Sequence, residues 1–251
     1  MNIIKTFTLR TDQPDTFRVY WTNSPVRAGG LIKVRIQSKI EDMAIAAELA
    51  AMQYLLEDKR VIGTNTVGNS PTRLYVSQGA IRKLQLNKSD KAHLAPYANF
   101  LTTRFAGCQM CVEKDSRWFD GFMPETVDEL TVNQPKRETI CLTGLGDVSV
   151  TQHVLQRISD RLLTESKQAN SCSAAWKKLN EVASDPLIQE VSRQGIWNTV
   201  KYARQNKHEG RYFLNSRRNL ILVVTDNPGE GKRLVTAYPA NKQFAQMPLA
   251  A

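Results

Sequence analysis

Leu31-Ile32-Lys33-Val34-Arg35-Ile36-Gln37-Ser38-Lys39-Ile40-Glu41 changes its hydrophobic period partway along. Residues 31–36 alternate apolar and basic side chains, the pattern of a half-buried strand. Ser38 and Glu41 then have the spacing of a capping box. From 41 to 58 the chain is rich in Ala, Leu and Met with no internal Gly or Pro, which predicts a helix. Upstream, Phe17-Arg18-Val19-Tyr20-Trp21 also alternates, and Gly29-Gly30 separates the two runs, which predicts an antiparallel pair joined by a hairpin.

Downstream, a Gly/Asn/Pro-containing stretch at 63–71 leads into Arg73-Leu74-Tyr75-Val76, read as a third strand. A second helix is expected over about 90–105, with Pro96 tolerated early or kinking it, and a further strand over 109–112. Pro124, Asn133, Gln134 and Pro135 mark a loop-like seam beside Lys136-Arg137-Glu138. Domains are therefore expected at 1–135 and 139–251. In the second, helices are expected over 150–163, 174–183 and 187–207. Strands at 211–214, 220–224 and 233–238, split by turn-rich stretches, predict an antiparallel meander. The expected class is α+β: a mixed sheet with helices, then helices with an antiparallel sheet.

The 251 residues suffice for two small cores. Hydrophobic residues make up 41% and charged residues 23%, which argues against wholesale disorder or a fibrous repeat. The formal charge is +10, with 15 basic and 9 acidic residues in 139–251 and 19 and 15 in 1–138. A basic excess in both halves favours an anionic partner, most simply nucleic acid. The amino terminus lacks the apolar core of a signal peptide and no run is long enough for a membrane helix, so a cytoplasmic protein without a membrane partner is expected. Cys108 and Cys111 form a Cys-x-x-Cys pair, but Cys141, Cys172 and three scattered histidines supply no matching second pair. All four cysteines are expected to be buried thiols, with no metal and no cofactor.

The order strand, hairpin, strand, a helix containing Ala47-Glu48-Leu49-Ala50-Ala51, then a strand near Tyr75 resembles the ribonuclease H family over about residues 15–120. In that family an Asp on the first strand, a Glu on the helix and an Asp ending the next strand hold two divalent ions that activate water. The matching positions are Asn23 in Tyr20-Trp21-Thr22-Asn23-Ser24, Glu48, and Ser77 in Leu74-Tyr75-Val76-Ser77-Gln78-Gly79. Only the glutamate remains. The resemblance therefore implies the fold without metal-dependent cleavage, while duplex binding through A-form shape and phosphates needs no metal.

In the second half, His153, Arg157 and Arg161 recur every four residues beside a Val154, Ile158, Leu162 stripe, so a helix would pack one stripe and turn the other to an anion. An imidazole that moves a proton beside guanidinium groups that stabilise phosphate oxygens suits phosphodiester chemistry. With Gly210-Arg211-Tyr212, Leu220–Val224 and Val235-Thr236-Ala237-Tyr238-Pro239, the region resembles toxin-like and phage-encoded ribonucleases of the barnase–EndoU–colicin–RelE group. Val154 stands where that group commonly has a small residue. The resemblance implies metal-independent RNA cleavage by 2′-hydroxyl attack, leaving a cyclic phosphate. It casts His153 as general base or acid, Arg157 and Arg211 as phosphate clamps, and Thr236 and Tyr238 as orienting or proton-relaying groups. Arg161, His208, Arg217, Arg218 and Lys232 are further candidate nucleic-acid contacts.

The leading expectation is an endoribonuclease acting on RNA or an RNA–DNA duplex, its first module positioning the substrate and a protein partner or inhibitor controlling it. The alternative is a non-catalytic nucleic-acid-binding or host-inhibiting protein, in which both modules serve as surfaces.

Overall fold

The computed structural model describes residues 1–24, 28–63, 71–163, 171–191, 210–227 and 231–240. The chain forms two compact units, Met1–Arg137 and Glu138–Ala251, dividing inside the Lys136-Arg137-Glu138 stretch. Both carry a mixed sheet and helices, an α+β architecture. Among the described residues no helix is long and apolar enough to cross a membrane.

In the first unit the strands are β1 (Asn2–Arg10), β2 (Thr16–Asn23), β3 (Ala28–Ile36), β4 (Thr72–Val76), β5 (Gln109–Val112) and β6 (Val127–Val132), in the sheet order β5-β4-β1-β2-β3-β6. β1 pairs antiparallel with β2 and β2 with β3, whereas β1–β4, β4–β5 and β3–β6 are parallel. Two of these strands depart from the sequence expectation. β1 precedes the first expected strand and occupies the middle of the sheet, and β6 lies in the stretch expected to be loop, paired in register with β3 from Leu31↔Val127 to Ile36↔Val132.

Helix α1 (Met43–Glu57) covers one sheet face, burying Ala46, Ala47, Leu49, Met52, Leu55 and Leu56 against Ile4, Val19, Ile32 and Val34. The expected capping box does not form. Asp42 is the N-cap, left-handed and without a side-chain cap bond, and the Ser38 hydroxyl instead meets the Tyr97 hydroxyl at 3.0 Å. The second expected helix is also broken, into a 3₁₀ turn at Ala92–Leu94 and the single turn α3 (Asn99–Thr102), while α2 (Gly79–Gln85) follows β4. The Ala95 N–H closes the tighter bond to Ala92, and Pro96 has no N–H with which to continue the ladder. The segment still buries Leu94, Tyr97, Phe100, Leu101 and Phe105 in the core.

Gly30 is the tightest point of the β2–β3 pair. A Cβ there would overlap Thr126 Oγ1 and lie 2.8 Å from the Thr126 carbonyl oxygen and 2.8 Å from Trp21 Nε1, and the backbone contact cannot rotate away. Gly30→Ala is expected to destabilise the first unit by about 1–3 kcal/mol, read as a shifted midpoint in urea denaturation of the full chain, whereas Gly79→Ala, with open space around its Cβ, should show no such loss.

The second unit contains β7 (Thr139–Leu142), β8 (Gly146–Val150), α4 (Gln152–Leu162), α5 (Ser171–Ala183), β9 (Ile188–Val191), β10 (Gly210–Asn215), β11 (Leu220–Asn227) and β12 (Gly231–Pro239), in the sheet order β7-β8-β12-β11-β10-β9. The β10–β12 meander is antiparallel, but β8 pairs parallel with β12, so the sheet is mixed rather than antiparallel as expected. The helix expected from residue 150 begins at Gln152 with Thr151 as N-cap, its hydroxyl accepting from the Val154 N–H at 3.3 Å. The expected helix over 187–207 is a strand at its start, β9 pairing with β10; residues 192–207 lie outside the described residues. One sheet face packs Phe213, Leu222, Val224, Leu234 and Ala237 under Val154, Leu155, Ile158, Trp176 and Leu179. Tyr212, Ile221 and Val223 belong to the other face.

Candidate functional site

Glu48 lies on α1 facing the sheet and is fully buried. Its Oε1 accepts from the Thr6 hydroxyl at 2.9 Å and from the Ser77 N–H at 2.7 Å, and its Oε2 accepts from the Ser77 hydroxyl at 2.5 Å. Thr6 stands on central β1 and Ser77 directly follows β4, and the parallel register Lys5↔Tyr75 brings the two beside each other. Burial raises the Glu48 pKa above its ordinary value, opposed by the Ser77 and Thr6 hydrogen bonds.

Of the three positions expected to share this site, Glu48 and Ser77 meet and Asn23 does not. Asn23 pairs with Ile4 while Thr6 pairs with Trp21, which places Asn23 one same-face row from Thr6, about 7 Å along the strands. Its Nδ2 donates to the Val61 carbonyl at 2.6 Å. Thr6 is the residue the sequence analysis missed. The alternation in Ile4-Lys5-Thr6-Phe7-Thr8-Leu9 was the signal for its strand, and its small polar side chain gave no sign of a site.

The donor set at this position is two neutral hydroxyls and one enclosed carboxylate. Divalent ions in hydrolytic pairs are held through several carboxylates, so these residues do not fit the two-ion centre of the ribonuclease H resemblance. Elsewhere, Glu41, Asp42 and His93 bring ligand atoms within 4.8 Å of one another, but the Lys91 ammonium already sits 2.6 Å from Asp42 Oδ2. Cys108 is buried, with its thiol pushed up to about 12 by desolvation, Cys111 is half-buried, and Cys141 is exposed, contrary to expectation. The Cys172 side chain lies outside the described residues.

The residues expected to form one catalytic cluster in the second unit are divided by the sheet. Strand partners point to the same side. Arg211 pairs with Val224, on the helix-covered face, whereas Thr236 pairs with Val223 and Tyr238 with Ile221, on the opposite face. A bulge between Val223 and Val224 sets this phase. Arg211 is also committed, its Nε and Nη2 donating to Glu190 Oε1 and Oε2 at 2.8 and 2.6 Å. Thr236 is buried.

The α4 stripe forms as expected. His153 and Arg157 are exposed, and Arg157 Nε donates to His153 Nε2 at 3.5 Å. Arg161 turns toward β12, its guanidinium 5.5 Å from the Tyr238 ring centroid. Its pKa is lowered, first by desolvation and then by Arg157. Its Nη1 is buried and makes no hydrogen bond among the described residues. Arg217 and Arg218 lie 3.9 Å from Asp185 and Glu181, respectively. Lys232 Nζ donates to the Leu145 carbonyl. His208 falls outside the described residues. Comparison with protein-family models, curated proteins and solved structures finds nothing that matches this chain.

Proposed function

We propose that this chain binds nucleic acid and does not hydrolyse it: a ribonuclease H-like first unit without its metal pair, joined to a second basic α+β unit. The observation that carries the reading is the closed state of Glu48, whose two oxygens accept three protein hydrogen bonds at the position of a catalytic carboxylate. A first strand bearing Thr6, a helix bearing Glu48, and a strand ending at Ser77 before a short helix support the family likeness. The charge of +10, positive in both halves, supports a phosphate-bearing partner.

The test is incubation of purified protein with labelled RNA and RNA–DNA hybrid, once with Mg²⁺ and once with chelator. The expected outcome is retained binding without fragmentation in both, with log K falling linearly as log salt rises, by about 0.7–0.9 per phosphate contact. Fragments that appear only with Mg²⁺, or the absence of binding to any nucleic acid, would overturn it.

A second reading, a metal-independent ribonuclease, rests on the Arg157–His153 contact, which sets a cation beside an imidazole nitrogen on an exposed helix face. Cyclic-phosphate products in chelator that vanish in His153→Ala would establish it in place of the first.

A further inference from the structure

The face of the first sheet opposite α1 has a composition unlike a solvated surface. It carries Lys5, Phe7 and Leu9 from β1, Arg18 and Tyr20 from β2, Lys33 from β3 and Tyr75 from β4, the alternates of the buried Ile4, Thr6, Val19 and Val34. The loop after β5 lays Phe119 on this face, stacked on Tyr20 at 4.7 Å and 6° and tilted on Phe7 at 5.1 Å. Trp118 stands edge-on to Phe119 at 5.2 Å and to Phe122 at 6.5 Å, half-buried. Leu9 and Val127, which share this face through their pairing with Arg18 and Leu31, are 38% and 54% exposed.

Cations lie one same-face row away, about 7 Å along the strands. Arg18 sits directly opposite Lys33, a like-charge pairing that disfavours the free protein and that an anion would relieve. Lys33 reaches Glu129 only in an exposed contact of 3.2 Å, and Arg18 forms no ion pair among the described residues. The two line a cleft of about 310 Å³ with Asp12 and Gln13, an acceptor and a donor that match a sugar hydroxyl, which is both.

From this arrangement we infer that the open face of the first sheet is a platform for single-stranded RNA: a base stacks on Trp118, phosphates meet Arg18 and Lys33, and a 2′-hydroxyl meets Asp12 and Gln13. An aromatic ring on which a base can stack and a cationic row beside it are the two parts that sequence-tolerant strand binding needs. The inference rests on the nucleic-acid-binding reading above and names the surface that does it.

The experiment is fluorescence anisotropy of the full chain with labelled oligouridylate, its deoxy counterpart and an RNA duplex. Trp118→Ala is expected to weaken oligouridylate binding about tenfold or more. Arg18→Ala with Lys33→Ala is expected to lower the log–log salt slope by about one to two, and Lys83→Ala, exposed on α2, to leave affinity for the strand unchanged. Both cations are exposed, so that variant keeps its circular dichroism even where Trp118→Ala does not. Oligouridylate binding that ignores both sheet variants, or a duplex bound while the strand is not, overturns the platform and leaves the function standing. A deoxy strand bound as tightly overturns the RNA assignment. No binding to any of the three overturns the function itself.

Discussion

Replacing Thr6 and Ser77 together by aspartate is expected to destabilise the first unit by about 3–5 kcal/mol in chelator, since it buries carboxylates without partners, and Mn²⁺ is expected to reverse much of that loss. The hydroxyls now hold Glu48 at 2.9 and 2.5 Å and are 2% and 6% exposed as residues, so carboxylates at both positions converge on one enclosed point. Without an ion they repel one another and desolvation opposes each charge. With an ion bound at one hundred times its dissociation constant, linkage returns about 2.7 kcal/mol. The measurement is thermal unfolding with and without Mn²⁺, with the wild type, offering one engaged carboxylate, unmoved. A destabilisation that Mn²⁺ leaves unchanged would show that Thr6, Glu48 and Ser77 do not face a common site, and the ribonuclease H-like reading would lose its centre.

Glu48 itself should separate by chemistry from its neighbours. Glu48→Ala removes the acceptor for the Thr6 hydroxyl and for both Ser77 donors and opens a cavity under the sheet, at an expected cost of about 3–5 kcal/mol. Glu48→Gln keeps the volume, with Oε1 still accepting and the Ser77 hydroxyl turning to accept from the new amide, so its cost is expected near 1 kcal/mol. The pH dependence follows from burial raising the Glu48 pKa above its ordinary 4.5. The folded protein holds that proton more tightly than the unfolded chain. The stability this contributes is complete below pH 4.5 and is lost as pH rises toward the folded value. The network admits the proton: Thr6 Oγ1 also lies 3.3 Å from the Tyr75 carbonyl and can donate there while accepting from a protonated Glu48. Wild type is therefore expected to lose stability relative to Glu48→Gln as pH rises through that window, by at most about 1.4 kcal/mol per pH unit. Parallel stability curves for the two proteins would exclude the raised pKa.

The sequence by itself determined those features that arise within a few residues of each other. Alternation at 17–21 and 31–36 and the unbroken Ala/Leu/Met run gave β2, β3 and α1, because a strand or helix face is written in local period. The seam at 133–138, the three-strand meander and the His153/Arg157 stripe were legible for the same reason, whereas the meeting of Glu48 with Ser77, 29 positions apart, was expected only through the ribonuclease H resemblance. What only the tertiary structure decided depends on pairings that local period does not encode. Ile4-Lys5-Thr6-Phe7 alternates like any strand, and its central place comes from parallel pairing with β4, which brings Thr6 within reach of a carbonyl 69 positions away. That pairing sets Thr6, and not Asn23, beside Glu48. In the second unit one bulge at Val223/Val224 turned Thr236 and Tyr238 away from Arg211, and the β9–β10 register gave Arg211 to Glu190. A one-residue change of phase carries a side chain to the other face of a sheet; which face a residue occupies is therefore set by the neighbouring strand, and the chain's own pattern leaves it open.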